Sequence, residues 1–165
     1  MQYIIIDAYN LLYSDKELAR LAERDLKRAR QGLIKRIVGY AGSKKVRMTL
    51  VFDGSQALIQ ESEMASGRIK IIYSSPPASA DDLIIEELDR LSSPRGTAVV
   101  TSDNQVAALS RMRGATVVAS NKFWLRLQKI GASRRQPGEK PEDISSQEVD
   151  EWMDIFSPGS KGKRS

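Results

Sequence analysis

The sequence predicts an α/β fold, a three-layer α/β/α sandwich around a mainly parallel five-stranded sheet. Short runs rich in isoleucine, valine and leucine alternate with longer segments of helical periodicity, which is the pattern of βαβ units. The composition, with 41% hydrophobic and 28% charged residues, is typical of a globular domain with a real core. Right-handed crossovers between parallel strands then favour a doubly wound sheet.

Five strands and four helices are expected in alternation. The strands are predicted at residues 3–7, 46–53, 69–73, 97–102 and 115–118. The helices are predicted at residues 16–40, 80–91, 104–112 and 121–129. Leucine and alanine recur at helical spacing through the first helix, and Gly42 supplies a typical stop signal after it.

The composition divides the chain into three predicted parts. Residues 1–131 carry the strand and helix pattern and are expected to form the α/β domain. Residues 132–156 contain two prolines, a glycine and a short amphipathic pattern, and are expected to form an arm whose short helix packs on the domain. Residues 157–165 are small, polar and basic, which predicts a disordered tail.

The residue types that are missing exclude whole classes of chemistry. The 165 residues include no histidine and no cysteine. A Ser-His-Asp or Cys-His centre, a His/Cys zinc site and a disulfide-linked partner are therefore impossible. No apolar run approaches the roughly 20 residues that span a bilayer, and the N-terminus lacks the features of a signal peptide. A cytoplasmic protein without a membrane partner is expected.

Aspartates follow the predicted strands. Asp7 and Asp53 close the first two strands, Asp103 follows the fourth, and Asp81 and Asp82 begin the helix after the third. The carboxyl ends of parallel strands meet at one edge of a sheet, where ligands bind. Carboxylates gathered there could share a hard cation. The sequence therefore predicts a site for Mg²⁺ or Mn²⁺ that is built from these five aspartates.

Each aspartate also has a local structural explanation. Asp7 and Asp103 could cap the helices that follow them, and Asp53 could form a turn with the next glycine. Asp81 and Asp82 could interact with the dipole of their helix. Asp81 shares the apolar face of that helix and should point over the sheet edge, whereas Asp82 lies about 100° further round and would flank the site. Because clustered carboxylates repel one another, their joint occurrence at one edge favours the cation site.

Four motifs, taken in order, resemble a known family. They are Ile-Ile-Asp-Ala-Tyr-Asn-Leu-Leu at residues 5–12, Val-Phe-Asp-Gly at 51–54, Ser-Ala-Asp-Asp at 79–82 and Val-Thr-Ser-Asp at 100–103. Together they resemble the NYN domain family of PIN-like nucleases, and in particular its YacP-type bacterial branch. The resemblance extends over residues 1–155.

The resemblance implies a PIN-like sandwich in which the first and fourth predicted strands are neighbours. It also implies a metal-dependent endoribonuclease that cleaves single-stranded RNA, with mRNA on the ribosome as the substrate and the ribosome as a partner. Asn10 would orient a carboxylate or a water, and Ser102 would support the site by hydrogen bonding. The implied catalytic residues are Asp7, Asn10, Asp81, Asp82 and Asp103.

Charge is distributed unevenly, which suits a polyanionic partner. Residues 111–138 contain seven basic and no acidic residues, and residues 139–156 contain seven acidic residues and one lysine. Solvation of helix faces is an alternative explanation for the basic residues. The candidate RNA-binding residues are Tyr9, Lys122, Arg126, Lys129, Arg134 and Arg135.

Two other functions are compatible with parts of the pattern. A non-catalytic RNA- or ribosome-binding module could have kept the fold. A phosphotransfer protein, either a receiver domain or a haloacid-dehalogenase-type phosphatase, also places aspartates at strand ends. A receiver needs an acidic pair after the first strand and the phosphatase a second aspartate two residues on, but Ala8 and Tyr9 occupy those positions.

Overall fold

A computed structural model of the chain describes residues 2–54 and 63–135. The strands are β1 (Tyr3–Asp7), β2 (Arg47–Phe52), β3 (Glu63–Ser66), β4 (Ile69–Tyr73), β5 (Thr97–Val100) and β6 (Thr116–Val118). The helices are α1 (Ala8–Leu12), α2 (Lys16–Arg24), α3 (Leu26–Lys44), α4 (Ala80–Asp89), α5 (Asn104–Met112) and α6 (Ser120–Arg135).

The strands form one sheet in the order β3-β4-β2-β1-β5-β6. Five of them are parallel, which confirms the predicted α/β fold, and β1 lies between β2 and β5. The pairing of β1 with β5 is the predicted contact between the first and fourth predicted strands. Strand β3 pairs antiparallel with β4 at the sheet edge. It was not predicted, because its sequence Glu-Met-Ala-Ser lacks the branched apolar run of a buried strand.

The predicted helix at residues 16–40 is wrong in one respect, because the chain divides it into α2 and α3 at Asp25. That residue has an extended backbone, with φ of −153°. Its carboxylate accepts a hydrogen bond from the amide of Arg28 and so caps α3. The apolar spacing continues through the break, which is why periodicity alone did not reveal it. Helix α3 then runs beyond Gly42 and ends at Lys44, followed by Lys45 in the left-handed conformation with φ of 57°.

Helix α6 continues through Gly131 and ends at Arg135. The remainder of the predicted arm, residues 136–156, and the predicted tail, residues 157–165, lie outside the described residues. Among the helices that the structure does describe, none is both long enough and apolar enough to cross a membrane.

Helices cover both faces of the sheet and create two cores. Ile4 and Ile6 point to the face covered by α1, α2, α3 and α6, and Ile5 points to the face covered by α4 and α5. This alternation follows from the two-residue period of a strand. Phe123 and Trp124 of α6 belong to the first core, with 0% and 3% of their surfaces exposed. Central strands buried on both faces leave only their ends for chemistry, which is where β1 delivers Asp7.

Candidate active site

A cleft of about 600 Å³ opens at the carboxyl end of the sheet. It is lined by seven residues that the sequence had singled out, namely Asp7, Tyr9, Asn10, Asp53, Asp81, Ser102 and Asp103. These side chains come from the ends of β1, β2 and β5 and from the starts of α1 and α4. The topology therefore brings four of the five predicted aspartates around one cavity.

Asp7 is the most buried of the four, with 8% of its surface exposed. It stands at the N-cap position of α1, yet its side chain makes no capping hydrogen bond. Its Oδ2 instead accepts a hydrogen bond of 2.9 Å from the hydroxyl of Thr101. Burial is the main cause that raises the pKa of Asp7 to about 6, and the neighbouring Asp81 and Asp103 raise it further. The backbone amide of Asn10, in the first turn of α1, also lowers this pKa, so Asp7 interacts with the start of the helix without forming a capping hydrogen bond of good geometry.

Asp81 is partly buried at the start of α4. Within the described ranges its carboxylate accepts no hydrogen bond and forms no ion pair. Burial raises the pKa of Asp81, and the charges of Asp103, Asp82 and Asp53 raise it further. A carboxylate surrounded by three others, without a donor of its own, is the kind of group that a cation would stabilise.

Asp103 has a structural role as well as a place in the cleft. Its Oδ1 accepts hydrogen bonds from the amides of Gln105 and Val106, at 2.9 and 3.0 Å, and so caps α5. Both bonds use the same oxygen. The local explanation considered from the sequence is therefore present, and it coexists with exposure of the carboxylate to the cleft.

Asp53 lies on the far side of the cleft, after β2. Its Oδ1 accepts a hydrogen bond of 3.3 Å from the hydroxyl of Ser74, which in turn accepts one from the amide of Gly54. The turn formed by Asp53 and Gly54 is thus fixed to the end of β4. Its charge still acts on Asp81.

Asp82 differs from the other four aspartates, because it is exposed and does not line the cleft. Its Oδ2 accepts a hydrogen bond from the amide of Ser79, and the hydroxyl of Ser79 accepts one from the amide of Asp82. This reciprocal pair is a capping box. The geometry gives Asp82 a defined structural role at the start of α4, beside the cleft, where its charge acts on Asp81.

Asn10 connects three elements at the rim of the cleft. Its Oδ1 accepts hydrogen bonds from the amide of Ser102, at 2.8 Å, and from the hydroxyl of Ser120, at 2.6 Å. The hydroxyl of Ser102 accepts a third bond, of 3.0 Å, from the amide of Ser120. Asn10 therefore fixes the turn after β5 and the start of α6, in addition to any contact that it makes with a carboxylate or water.

Two tyrosines form one wall of the cleft. Tyr9 is 7% exposed, and its ring packs edge-on against Phe52 with centroids 5.0 Å apart. Its hydroxyl accepts a hydrogen bond of 3.2 Å from Arg30. Tyr13 packs beside it and is 47% exposed. Of the two rings, Tyr13 therefore presents much more surface to a ligand.

The predicted RNA-binding cations lie outside the cleft. Lys122, Arg126 and Lys129 line a neighbouring groove on α6. Arg134 and Arg135 belong to the last turn of the same helix, and only their backbone is described. The charged side chains that line the cleft are thus acidic. The predicted basic residues lie further along α6, whose first residues border the cleft.

The donor set of the cleft suits a hard cation held in an open site. Among the described residues, no group of three or more acidic side chains is positioned to hold a metal ion by itself. Mg²⁺ commonly keeps several waters and binds through one or two carboxylates together with substrate phosphates. Burial is the main cause of the raised pKa of Asp7, and the charges of Asp81 and Asp103 add a smaller repulsion that a bound ion would relieve.

The sequence matches a known domain over most of its length. The YacP-like NYN domain matches residues 4–156. The chain belongs to this family. Membership places this YacP-like NYN domain among nuclease-type domains with an RNA-related function. Comparison with curated proteins gave no significant match.

Solved structures share the fold of this YacP-like NYN domain. A mutant of Rae1 (YacP) from Bacillus subtilis is similar with a TM-score of 0.67 and 19% sequence identity, covering 96% of this chain and 94% of the other. A second crystal structure of Rae1 (YacP) from Bacillus subtilis gives a TM-score of 0.64 and 22% identity, covering 80% of this chain and 76% of the other.

Two residues at the cleft were missed from the sequence. Thr101 lies beneath Asp7, and Ser120 hydrogen-bonds to Asn10. The position of Thr101 directly after a buried strand was a usable signal, since residues at strand ends share the site edge. Ser120 carried no comparable signal, because its place depends on how α6 packs.

Proposed function

We propose that this protein is a metal-dependent endoribonuclease that cleaves single-stranded RNA. One observation carries the proposal, namely that the buried carboxylate of Asp7 shares a cleft with three other aspartates. Such a group has a cost in folding, because its charge is both desolvated and repelled. A role in binding a cation and a phosphodiester explains why it is there. The similarity to the YacP branch leads us to infer that the RNA is mRNA in association with the ribosome.

The metal, Mg²⁺ or Mn²⁺, would be held directly by one or two of the cleft carboxylates, with Asp7 and Asp81 as the first candidates, and Asp103 and Asp53 would act on it through bound water. When bound, it would supply Lewis acidity to the scissile phosphate and lower the pKa of a bound water. Asp82 flanks this group and acts on it through the capping box that sets the first turn of α4.

The side chains of the protein itself hold the reacting groups in place. The hydroxyl of Thr101 orients Asp7, and the amide oxygen of Asn10 fixes the turn that carries Ser102 and Asp103. Without histidine, carboxylates are the side chains of the cleft that can take up a proton near neutral pH. Asp7, with a pKa of about 6 in the absence of a cation, would lose its proton when it binds the metal.

The RNA would be bound beside the cleft rather than within it. Tyr9 would contribute the edge of its ring at the wall. The phosphates would be bound by the α6 cations Lys122, Arg126, Lys129, Arg134 and Arg135. Phosphate contacts of this kind position a strand without reading its sequence.

Cleavage of RNA by the purified protein tests the proposal. Free RNA and RNA on translating ribosomes would be incubated with Mg²⁺, with Mn²⁺ or with a chelator, and the products would be resolved by length. We expect cleavage that requires the metal and falls at least about 100-fold in Asp7→Asn, since that change removes a carboxylate from the proposed metal site. Asp89→Asn is the matched control, because Asp89 pairs with Arg113 at the other end of α4.

Intact RNA under every condition would exclude the nuclease. Binding that persists in the chelator, without products, would then favour the non-catalytic RNA-binding module. Equal loss of cleavage in Asp7→Asn and Asp89→Asn would contradict the assignment of the cleft as the active site.

A further inference from the structure

A second cavity, the α5–α6 groove, lies beside the aspartate cleft. It has a volume of about 1090 Å³ and is bounded by α5, α6 and β6. Ser102, in the turn after β5, lines both the cleft and the groove. The two cavities therefore adjoin at this residue, and one extended ligand that passes Ser102 would contact both.

The two cavities have opposite charge. The described residues that line the groove include Arg111, Lys122, Arg126 and Lys129 and no aspartate or glutamate. Those that line the cleft include Asp7, Asp53, Asp81 and Asp103 and no lysine or arginine. A cation-binding centre joined to an anion-binding groove fits one polyanionic strand that contacts both.

Two exposed cations of the groove, Arg111 and Lys122, lie at helix ends. Interaction with the helix dipole favours only one of them. Arg111 lies in the last turn of α5, where a positive charge interacts favourably with the helix dipole. Lys122 lies in the first turn of α6, where a positive charge is unfavourable. An anionic ligand in the groove accounts for both residues.

The floor of the groove is apolar, whereas its rim is basic. Ala107, Val117, Val118 and Ala119 line it, together with Leu125, which is 58% exposed. Proteins bind single-stranded nucleic acid with a basic groove and a surface, usually aromatic, on which bases stack; among the described residues of this groove that surface is aliphatic. A duplex hides the faces of its bases, so the floor favours a single strand.

We propose that the α5–α6 groove binds the single-stranded RNA segment that leaves the cleft over Ser102, with Arg111 and Lys122 contacting its phosphates. This inference rests on the proposed nuclease function and adds the path of the substrate. It also adds Arg111, which the sequence did not single out. The proposed contacts in the groove are to the phosphates of the RNA, so they give affinity without preference for a base sequence.

The test is the salt dependence of RNA binding, measured without cleavage. A fluorescent oligouridine would be titrated with the full chain carrying Asp7→Asn in Mg²⁺, at several salt concentrations. Arg111→Gln with Lys122→Gln should weaken binding several-fold and lower the slope of log K against log salt by about 0.7 for each lost phosphate contact, or about 1.4 in total. Arg111→Lys with Lys122→Arg should restore both values.

Arg24→Gln with Lys27→Gln is the matched control, because it removes the same charge from exposed positions on α2 and α3. An unchanged slope in the groove pair, or an equal fall in the control pair, would overturn the inference. Tighter binding of an oligouridine–oligoadenosine duplex than of the single strand would overturn it as well.

The outcome separates this inference from the nuclease proposal. A groove-dependent slope in a protein that cuts no RNA leaves the binding path standing and removes the nuclease. Efficient cleavage with an unchanged KM and slope in the groove pair removes the path and leaves the nuclease.

Discussion

The hydroxyl of Thr101 donates a hydrogen bond of 2.9 Å to Oδ2 of Asp7. The same oxygen of Thr101 accepts a bond of 3.0 Å from the amide of Asp103. Thr101 is 1% exposed, so water does not compete for either bond. One buried hydroxyl therefore links the carboxylate at the end of β1 to the turn that carries the carboxylate after β5.

Thr101→Val should test this link, since valine keeps the shape of threonine and removes the hydroxyl. The bond from Thr101 lowers the pKa of Asp7, so its loss should raise that pKa above about 6. The acidic limb of the pH–cleavage profile should move to higher pH, and the unfolding free energy should fall by about 1–3 kcal/mol. Thr101→Ser keeps the hydroxyl and should preserve the profile. An unmoved acidic limb in Thr101→Val would show that the bond does not tune Asp7.

Asp7→Asn should stabilise the metal-free protein at neutral pH. The pKa of Asp7 is raised in the folded state from 3.8 to about 6, so folding favours the protonated form. The stability that protonated Asp7 contributes is complete below about pH 4 and is lost as the pH rises through about 6. At pH 8 the variant should therefore be more stable by roughly 2–3 kcal/mol, since one pKa unit is worth about 1.4 kcal/mol.

Denaturant unfolding at pH 3.5 and pH 8 in a chelator measures this difference. The two proteins should have similar stability at the lower pH, because an amide resembles a protonated carboxyl group. Adding Mn²⁺ at pH 8 should narrow the gap by stabilising the original protein alone. A variant less stable than the original at pH 8 would mean that the charge of Asp7 is already compensated within the chain.

The acidic site was predictable from the sequence because one topological rule positions it. Parallel strands end at a common edge, so Asp7 and Asp103 could be placed at that edge without knowledge of any distance, and the resemblance to the NYN family implied that their strands are neighbours. The partner of Asp7 could not be derived in this way. Thr101 lies beside it because β1 and β5 are in a particular register, with Ile6 opposite Val100. The sequence pattern indicates which residues lie at the carboxyl edge of the sheet. Which of them hydrogen-bond to each other depends on the register between neighbouring strands.

Helical periodicity did not reveal two local hydrogen-bonding arrangements, at Asp25 and at Asp82. Asp25 ends α2 and caps α3 although the apolar spacing continues across it. Asp82 was placed beside Asp81 on angular position alone, but its carboxylate is engaged in the capping box with Ser79. In both cases a short side chain hydrogen-bonds to nearby backbone, which helical periodicity does not register.

Asn10 and Ser120 should be energetically coupled. The 2.6 Å bond between them holds the start of α6 against α1, and Asn10 also fixes the amide of Ser102. Asn10→Ala should lower the unfolding free energy by about 1–2 kcal/mol and Ser120→Ala by about 1 kcal/mol. The double variant should lose less than the sum, with a coupling energy of about 0.5–1.5 kcal/mol.

A control cycle pairs Asn10→Ala with Arg113→Ala at the far end of α5, where Arg113 contacts Asp89. Those two changes should be additive, because the sites share no partner. Additive losses for Asn10 and Ser120 would indicate that the bond between them contributes nothing to the free energy of unfolding.

The adjacent acids Asp81 and Asp82 should respond in opposite ways to alanine. Asp82→Ala removes one half of the capping box, so the unfolding free energy should fall by about 0.5–1 kcal/mol while most of the cleavage rate remains. Asp81→Ala removes a desolvated and repelled carboxylate, so stability should be unchanged or higher. Cleavage should fall at least about 100-fold, because a proposed metal ligand is lost.

The two variants are each other's control, since they delete the same group from consecutive residues of one helical turn. Thermal unfolding and single-turnover cleavage at saturating Mn²⁺ separate the two effects. Saturating Mn²⁺ is used because it can compensate for a metal site of lower affinity, whereas it cannot compensate for the loss of the helix cap. If Asp82→Ala abolished cleavage at full stability, its carboxylate would act on the metal or the substrate, and the capping box would be incidental to its function.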